Sequence, residues 1–153
     1  MNTRQLEDLL RNNPITRSKF CGVYAENTLP RHLESYPCGV IVNTDPKGQP
    51  GQHWVAFYLT SPQEGEFFDS YGHTPQFYSR HYVEFLNRNV QDWTSNPKGL
   101  QSTFTAVCGE YCIFYLLHRA RGVNMNTIVN VFHSNKEYND HLVYRFVIQL
   151  MRQ

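Results

Sequence analysis

The chain predicts an α+β fold: a small mixed, mainly antiparallel central sheet flanked by helices. Three observations point that way. β-branched and aromatic runs cluster between residues 38 and 70. Helical periodicity occupies both ends of the chain and the stretch before Gly122. Nothing divides the sequence, since no composition shift, internal repeat or low-complexity segment breaks it, so residues 1–153 read as one domain.

Each element has a local reason. Residues 3–12 place Leu6, Leu9 and Leu10 on one helical face, and Asn12-Asn13-Pro14 ends the helix. Residues 16–37, punctuated by Pro30 and Pro37, read as irregular. Cys38 to Thr44 is a β-branched run and therefore a strand, and Asp45 to Gly51 a turn rich in Pro and Gly. His53 to Leu59 is the next strand, Ser61 to Gly65 a hairpin-like turn, and Glu66 to Ser70 a third strand. Thr74-Pro75 opens a helix predicted to run to about Val90, with Thr as cap and Pro in the first turn. Trp93 to Gly99 reads as a loop and 100–105 as short and extended. An apolar helix then runs from Cys108 to Arg121 and closes at Gly122, followed by an element over Asn126 to Phe132. Ser134-Asn135-Lys136-Glu137 has the capping-box pattern of a last helix, with Tyr138, Leu142, Phe146 and Leu150 as its apolar face.

Composition excludes several classes. With 14 Lys+Arg against 13 Asp+Glu, the chain lacks the basic excess of a dedicated nucleic-acid binder. Hydrophobic residues at 41%, with 10 Tyr and 10 Phe, give it enough apolar side chain for a real core. The first residues form no secretory signal, and no apolar run approaches the roughly 20 residues that span a bilayer. The expectation is an intracellular protein that is not secreted and meets no membrane. Four cysteines (Cys21, Cys38, Cys108, Cys112) fit no compact disulfide framework, and without a Cys-x-x-Cys pair no zinc site is expected. Cys21, Cys38 and Cys112 read as buried filler.

Cys108 is different because it heads a helix. Unpaired N–H groups there carry partial positive charge and favour a thiolate. A thiolate nucleophile needs an imidazole, and the imidazole needs an orienting group. His53 starts one strand and Asp69 ends the strand that follows, so an antiparallel pair would bring the two to one edge of the sheet. Gln101 lies seven residues before Cys108 (108 − 101), and its carboxamide with the Cys108 backbone N–H would receive an oxyanion. The candidate catalytic set is Cys108, His53, Asp69 and Gln101. Taken singly, each residue has a plain structural explanation; their order along the chain is what points to a cysteine peptidase.

Those residues carry a resemblance. His53-Trp54-Val55-Ala56-Phe57, Phe67-Phe68-Asp69-Ser70-Tyr71-Gly72 and Gln101 through Cys108-Gly109 resemble the adenain family of adenovirus maturation proteases and its relatives in large viruses and Polinton-type elements. Cys38 to Thr44 extends the similarity, which covers roughly residues 20–121. The order His, acid, Gln, Cys is that family's order and the reverse of papain's. The resemblance implies the corresponding branch of the papain-like superfamily, with the catalytic Cys at the start of a central helix. It also implies a cysteine endopeptidase cleaving viral structural or mobile-element precursors at small-residue or Gly-containing sites. Trp54 would shape a narrow substrate channel, where a side chain larger than Gly clashes, and packing of its ring against the sheet is an equally weighted and compatible reading.

The alternative within the superfamily is a ubiquitin-like-protein protease, a deubiquitinase or deSUMOylase. Such enzymes usually have one residue fewer between Gln and Cys and an Asp directly before the Cys, where Val107 stands here. No cysteine lies between Asp69 and Cys108, the region where adenain's activating viral peptide is disulfide-linked. Neither that peptide nor DNA as an activator is supported by these residues, and no cofactor or metal is required. Partners implied are protein or peptide substrates. The protein is expected to be a monomer acting in the host nucleus or the virion.

Overall fold

The computed structural model describes residues 1–45 and 53–153 and holds a five-stranded sheet among six helices within them. The strands are β1 (Phe20–Tyr24), β2 (Cys38–Asn43), β3 (Trp54–Leu59), β4 (Glu64–Phe68) and β5 (Asp92–Ser95), and they lie in that order across the sheet. The helices are α1 (Thr3–Asn12), α2 (Pro75–Tyr78), α3 (Arg80–Asn89), α4 (Cys108–Ala120), α5 (Met125–Asn130) and α6 (Lys136–Met151). β2, β3 and β4 pair antiparallel, and β1 and β5 add parallel edges, which makes the sheet mixed. The turn expected at Asp45 to Gly51 falls, from residue 46 on, outside the described residues.

Alternation along the central strands builds two cores. Val40, Val42, Val55, Phe57, Leu59 and Phe67 face α3, whose Tyr82, Phe85 and Leu86 complete one apolar layer. Phe57 centres it, with the rings of Phe67, Tyr82 and Phe85 edge-on at 5.1, 5.4 and 5.3 Å. Truncating such a ring to Ala costs about 3–5 kcal/mol. Ile41, Ala56, Tyr58 and Phe68 face the other way, onto α4. That helix is apolar nearly all round because α1, α5 and α6 cover the side turned from the sheet.

Polar contacts fix how α4 lies on the sheet. At its C-terminal end, Arg119 Nε and the Tyr115 hydroxyl donate to Glu66 Oε1 of β4 at 2.9 and 2.5 Å. Lys19 Nζ donates to the Ala120 carbonyl at 2.7 Å, a cation on the negative end of the helix dipole. Gly122, at φ +89°, turns the chain out of the helix. With that end anchored, the helix start is directed at the β3–β4 end of the sheet.

Several local expectations are corrected. The irregular stretch 16–37 contains β1, a short edge strand containing Gly22 and an irregular register against β2 that weaken its alternation. The expected loop Trp93 to Gly99 begins with β5, a polar edge strand with alternate residues exposed, so no apolar pattern marks it. β4 sits two residues earlier than predicted, which leaves Asp69 and Ser70 just beyond it. The Thr74–Val90 helix is two helices: Ser79 is extended (φ −163°, ψ 138°), its hydroxyl donates to Glu26, and its oxygen caps α3 by accepting from His81 N at 3.0 Å. Thr74 makes no side-chain cap. Residues 100–105 form turns rather than an extended stretch.

Of the predicted apolar face of the last helix, Leu142, Phe146 and Leu150 pack half-buried against the core, but the most buried positions lie beside them. Asn139, Asp140, Val143 and Val147 are its buried residues, while Tyr138 is 58% exposed. Its cap is Asn135, which accepts from Tyr138 N at 3.2 Å, rather than Ser134. Cys21 and Cys38 are not filler but a disulfide, their Cα atoms 5.9 Å apart on the paired strands β1 and β2. The pairing escaped the reading of spacing because it depends on a strand the reading did not contain. Cys108 and Cys112 are free thiols.

Candidate active site

The β3–β4 register determines what meets at the sheet end. Ala56 pairs with Phe68, so the residues just before β3 lie beside those just after β4. His53 and Asp69 fall there. Nε2 of His53 and Oδ1 of Asp69 are 2.6 Å apart, with Asp69 fully buried and His53 8% exposed. The imidazole also hydrogen-bonds the Cys108 side chain. Trp54 N–H, at the start of β3, donates to Cys108 Sγ at 3.4 Å. The thiol therefore sits at the first residue of α4 between a helix dipole and an imidazole, and Val107 supplies no side-chain cap to compete for the helix N–H groups.

Asp69 is held as a carboxylate. Its Oδ1 also accepts from Tyr71 N–H at 3.1 Å, and its Oδ2 accepts from His73 N–H at 3.0 Å and the Tyr78 hydroxyl at 2.6 Å. Burial alone would raise its pKa. The hydrogen bond and positive charge of His53, with the Tyr78 and Tyr71 donors, hold it below the ordinary carboxylate value. Burial likewise works to lower the His53 pKa. The hydrogen bonds to Asp69 and Cys108, with the negative charge on both partners, outweigh that and raise it to about 9. Burial and the hydrogen bond to Asp69 push the Tyr78 hydroxyl far above its usual value, so it remains a donor.

Three aromatic and polar residues to which the sequence assigned no role complete the surroundings. Tyr71 stacks on the His53 ring, centroids 4.6 Å apart and planes at 23°. Tyr78 both donates to Asp69 and lies 5.6 Å from the His53 ring. Asn96 exchanges hydrogen bonds with the Asp69 backbone, accepting from its N–H at 2.9 Å and donating to its carbonyl at 2.7 Å. Tyr71 had a usable signal, lying two residues past Asp69 as His53 lies ahead of β3. Tyr78 and Asn96 had none, because helix α2 and the end of β5 bring them in.

Glycine is required where the turn after Asp69 touches the segment leading to Gln101. Gly72 has φ +80°, and a Cβ there would lie 2.5 Å from Gly99 N. From the other side, a Cβ on Gly99 would lie 2.7 Å from the Tyr71 carbonyl oxygen. Leu100 N and Gln101 N donate to the Ser70 carbonyl at 2.7 and 3.0 Å, which carries the contact forward. Gln101 is buried; its Oε1 accepts from the Ser70 hydroxyl at 2.5 Å, and its Nε2 donates to the Thr105 carbonyl at 3.1 Å. The four residues of the candidate set thus converge on one end of the sheet, Gln101 being tied to Asp69 through its neighbour Ser70. Trp54 is half-buried beside the start of α4. Its indole donates to the Met1 carbonyl at 3.0 Å, and a Cβ on Gly109 would lie 3.4 Å from its Cδ1.

A thiol at a helix start, an imidazole bonded to it and a carboxylate behind the imidazole are the parts of a cysteine protease, and the family and sequence comparisons agree on that class. The chain belongs to the adenovirus endoprotease family, whose model matches residues 20–143. It is 27% identical over 153 aligned positions to the protease of fowl adenovirus A serotype 1, covering 86% of this chain and 73% of that protein. With the protease of porcine adenovirus A serotype 3 the identity is also 27%, over 67% of this chain and 57% of that one. The fold is similar to that of a solved ASFV protease, with TM-score 0.62 and 19% identity over 93% of this chain and 65% of that one. It is also similar to the central domain of an uncharacterized Legionella pneumophila protein, with TM-score 0.51 and 14% identity over 100% and 98% of the two chains. Among the described residues no helix is long and apolar enough to cross a membrane.

Proposed function

We propose that this cysteine protease is an endopeptidase that processes precursor proteins of a virus or virus-like element, acting in the virion or the infected cell. The reading rests above all on one observation: the His53 imidazole is held between the Asp69 carboxylate at 2.6 Å and the Cys108 thiol at the head of α4. Cys108 gives its proton to His53 and attacks the scissile carbonyl, forming a C–S bond and an oxyanion. The Cys108 N–H and the Gln101 carboxamide receive that oxyanion. Collapse breaks the C–N bond as the His53 imidazolium protonates the leaving amine, and a thioester remains. His53 then takes a proton from water, whose oxygen attacks the thioester and releases the acid and the thiol. Asp69 holds the ring in one orientation throughout. Water is the one co-reactant, so no cofactor enters.

Substrates with Gly or another small residue at the cleavage point fit this reading, in which Trp54, half-buried beside the start of α4, narrows the approach to the thiol against larger side chains. Cleavage of a peptide library, with and without DNA, tests that preference and any activator together. Cys108→Ala should abolish cleavage of a Gly-Gly-containing peptide while the fold persists. Turnover surviving in that variant would overturn the nucleophile assignment. Efficient reaction with a ubiquitin-like probe bearing a C-terminal electrophile, without cleavage of linear peptides, would move the substrate class to ubiquitin-like conjugates.

A further inference from the structure

Residues 101–107 carry Gln101 up to Cys108 without regular structure, so their shape must come from side-chain anchors. Two adjacent buried residues on α6 supply them. Asn139 Nδ2 donates to the Leu100 carbonyl at 3.1 Å. Asp140 is an acceptor on which three donors converge: the Thr105 hydroxyl at 2.9 Å on Oδ2, and the Tyr111 hydroxyl at 2.7 Å and Ser102 N–H at 3.3 Å on Oδ1. Tyr111 belongs to α4, one turn beyond Cys108. One carboxylate thus ties the loop, the nucleophile's helix and α6 together. A carboxylate suits the place because it accepts from several donors and offers no hydrogen that would oppose them. Leaving it buried is tolerable only because those donors satisfy it.

The chain of contacts ends on Gln101. The Thr105 carbonyl can only accept, so the Gln101 Nε2 must face it, and the Ser70 hydroxyl then donates to Oε1. One N–H of the carboxamide is thereby committed and the amide plane is locked, which sets the direction of the second N–H. We infer that Asp140, acting through Thr105, is a positioning residue for the oxyanion site, aligning the Gln101 carboxamide and the start of α4 for the transition state. The inference rests on the reading of Gln101 as an oxyanion donor.

Three measurements on the full chain separate this role from a merely structural one: hydrolysis of the peptide that wild type cleaves best, inhibition by the corresponding peptide aldehyde, and alkylation of Cys108 by iodoacetamide. Hydrolysis and the aldehyde adduct place charge on an oxygen; alkylation forms a C–S bond and expels iodide without generating an oxyanion. Thr105→Val keeps the shape of the side chain and removes the donor to Asp140. It should lower kcat by about 10-fold with little change in KM and weaken the aldehyde by a similar factor, Asp140→Ala by up to about 100-fold. Alkylation should proceed at the wild-type rate, and Thr105→Ser should restore hydrolysis. In a Gln101→Ala background Thr105→Val should not lower kcat further, while Asp140→Ala should retain only the part of its loss that passes through Tyr111 and the start of α4. Wild-type kcat in Thr105→Val would overturn the inference, as would a parallel loss of alkylation and hydrolysis in that variant. If Gln101→Ala alone leaves kcat unchanged, it is the oxyanion reading that fails; if it lowers kcat while Thr105→Val and Asp140→Ala do not, only the positioning role fails.

Discussion

Alkaline pH should withdraw a measurable part of this protein's stability through one side chain. His53 has an ordinary pKa of 6.5 in the unfolded chain and about 9 in the folded protein. At about 1.4 kcal/mol per unit, that difference is worth about 3 kcal/mol of folding free energy. Because the folded value is the higher one, the contribution is fully present below pH 6.5 and is lost as pH rises through about 9. Urea unfolding of wild type and His53→Ala across that window isolates it, since the difference between the two should shrink by about 3 kcal/mol from acid to alkaline pH. The same proton is the one delivered to the leaving amine, so kcat/KM should fall above about pH 9. In Cys108→Ala the thiol's share of the shift disappears, and NMR titration should find His53 nearer its ordinary value. A wild-type His53 that titrates at or below 6.5 in the folded protein, or a stability difference flat across the window, would refute the reasoning.

Other residues make equally direct demands. Gln101→Ala should lower kcat by roughly 10²-fold or more while Cys108 still alkylates normally, as expected for loss of an oxyanion donor; an unchanged kcat would assign that role elsewhere. Tyr78→Phe removes one of four donors from a buried carboxylate, and urea unfolding should show a loss of about 1.5–3 kcal/mol; equal stability would mean the hydroxyl bond contributes nothing net. Gly72→Ala must strain a φ of +80° and drive its Cβ into Gly99 N, 2.5 Å away. It should destabilise by more than about 1 kcal/mol and lower kcat, since Gln101 follows Gly99 directly after Leu100; a neutral result would show that the two backbones can separate freely.

The order His53, Asp69, Gln101, Cys108 and the helix starting at the cysteine were legible in the residues themselves, because strand alternation and an apolar helical run are local signals. So was the three-strand centre, β2 to β4. What failed were elements stabilised from outside their own sequence. β1 and β5 are short edge strands whose backbone bonds to a neighbour outweigh weak patterning. α6 buries Asn139 and Asp140, whose side chains bond the loop before Cys108 and the turn at His133, and leaves Tyr138 exposed. The Cys21–Cys38 bridge was hidden for the same reason, its partners being neighbours only once β1 pairs with β2.

The sequence by itself determined the kind of chemistry: a thiol at a helix start, an imidazole ahead of one strand and a carboxylate after the next, ordered so that antiparallel pairing unites them. Only the tertiary structure decided the condition of those groups. Four donors around Asp69, the ring of Tyr71 on His53 and the Trp54 N–H at the sulfur come from separate elements. Residue identity sets what a group can titrate or attack; its proton affinity and direction depend on burial and on partners distant in sequence, which exist only in the folded chain.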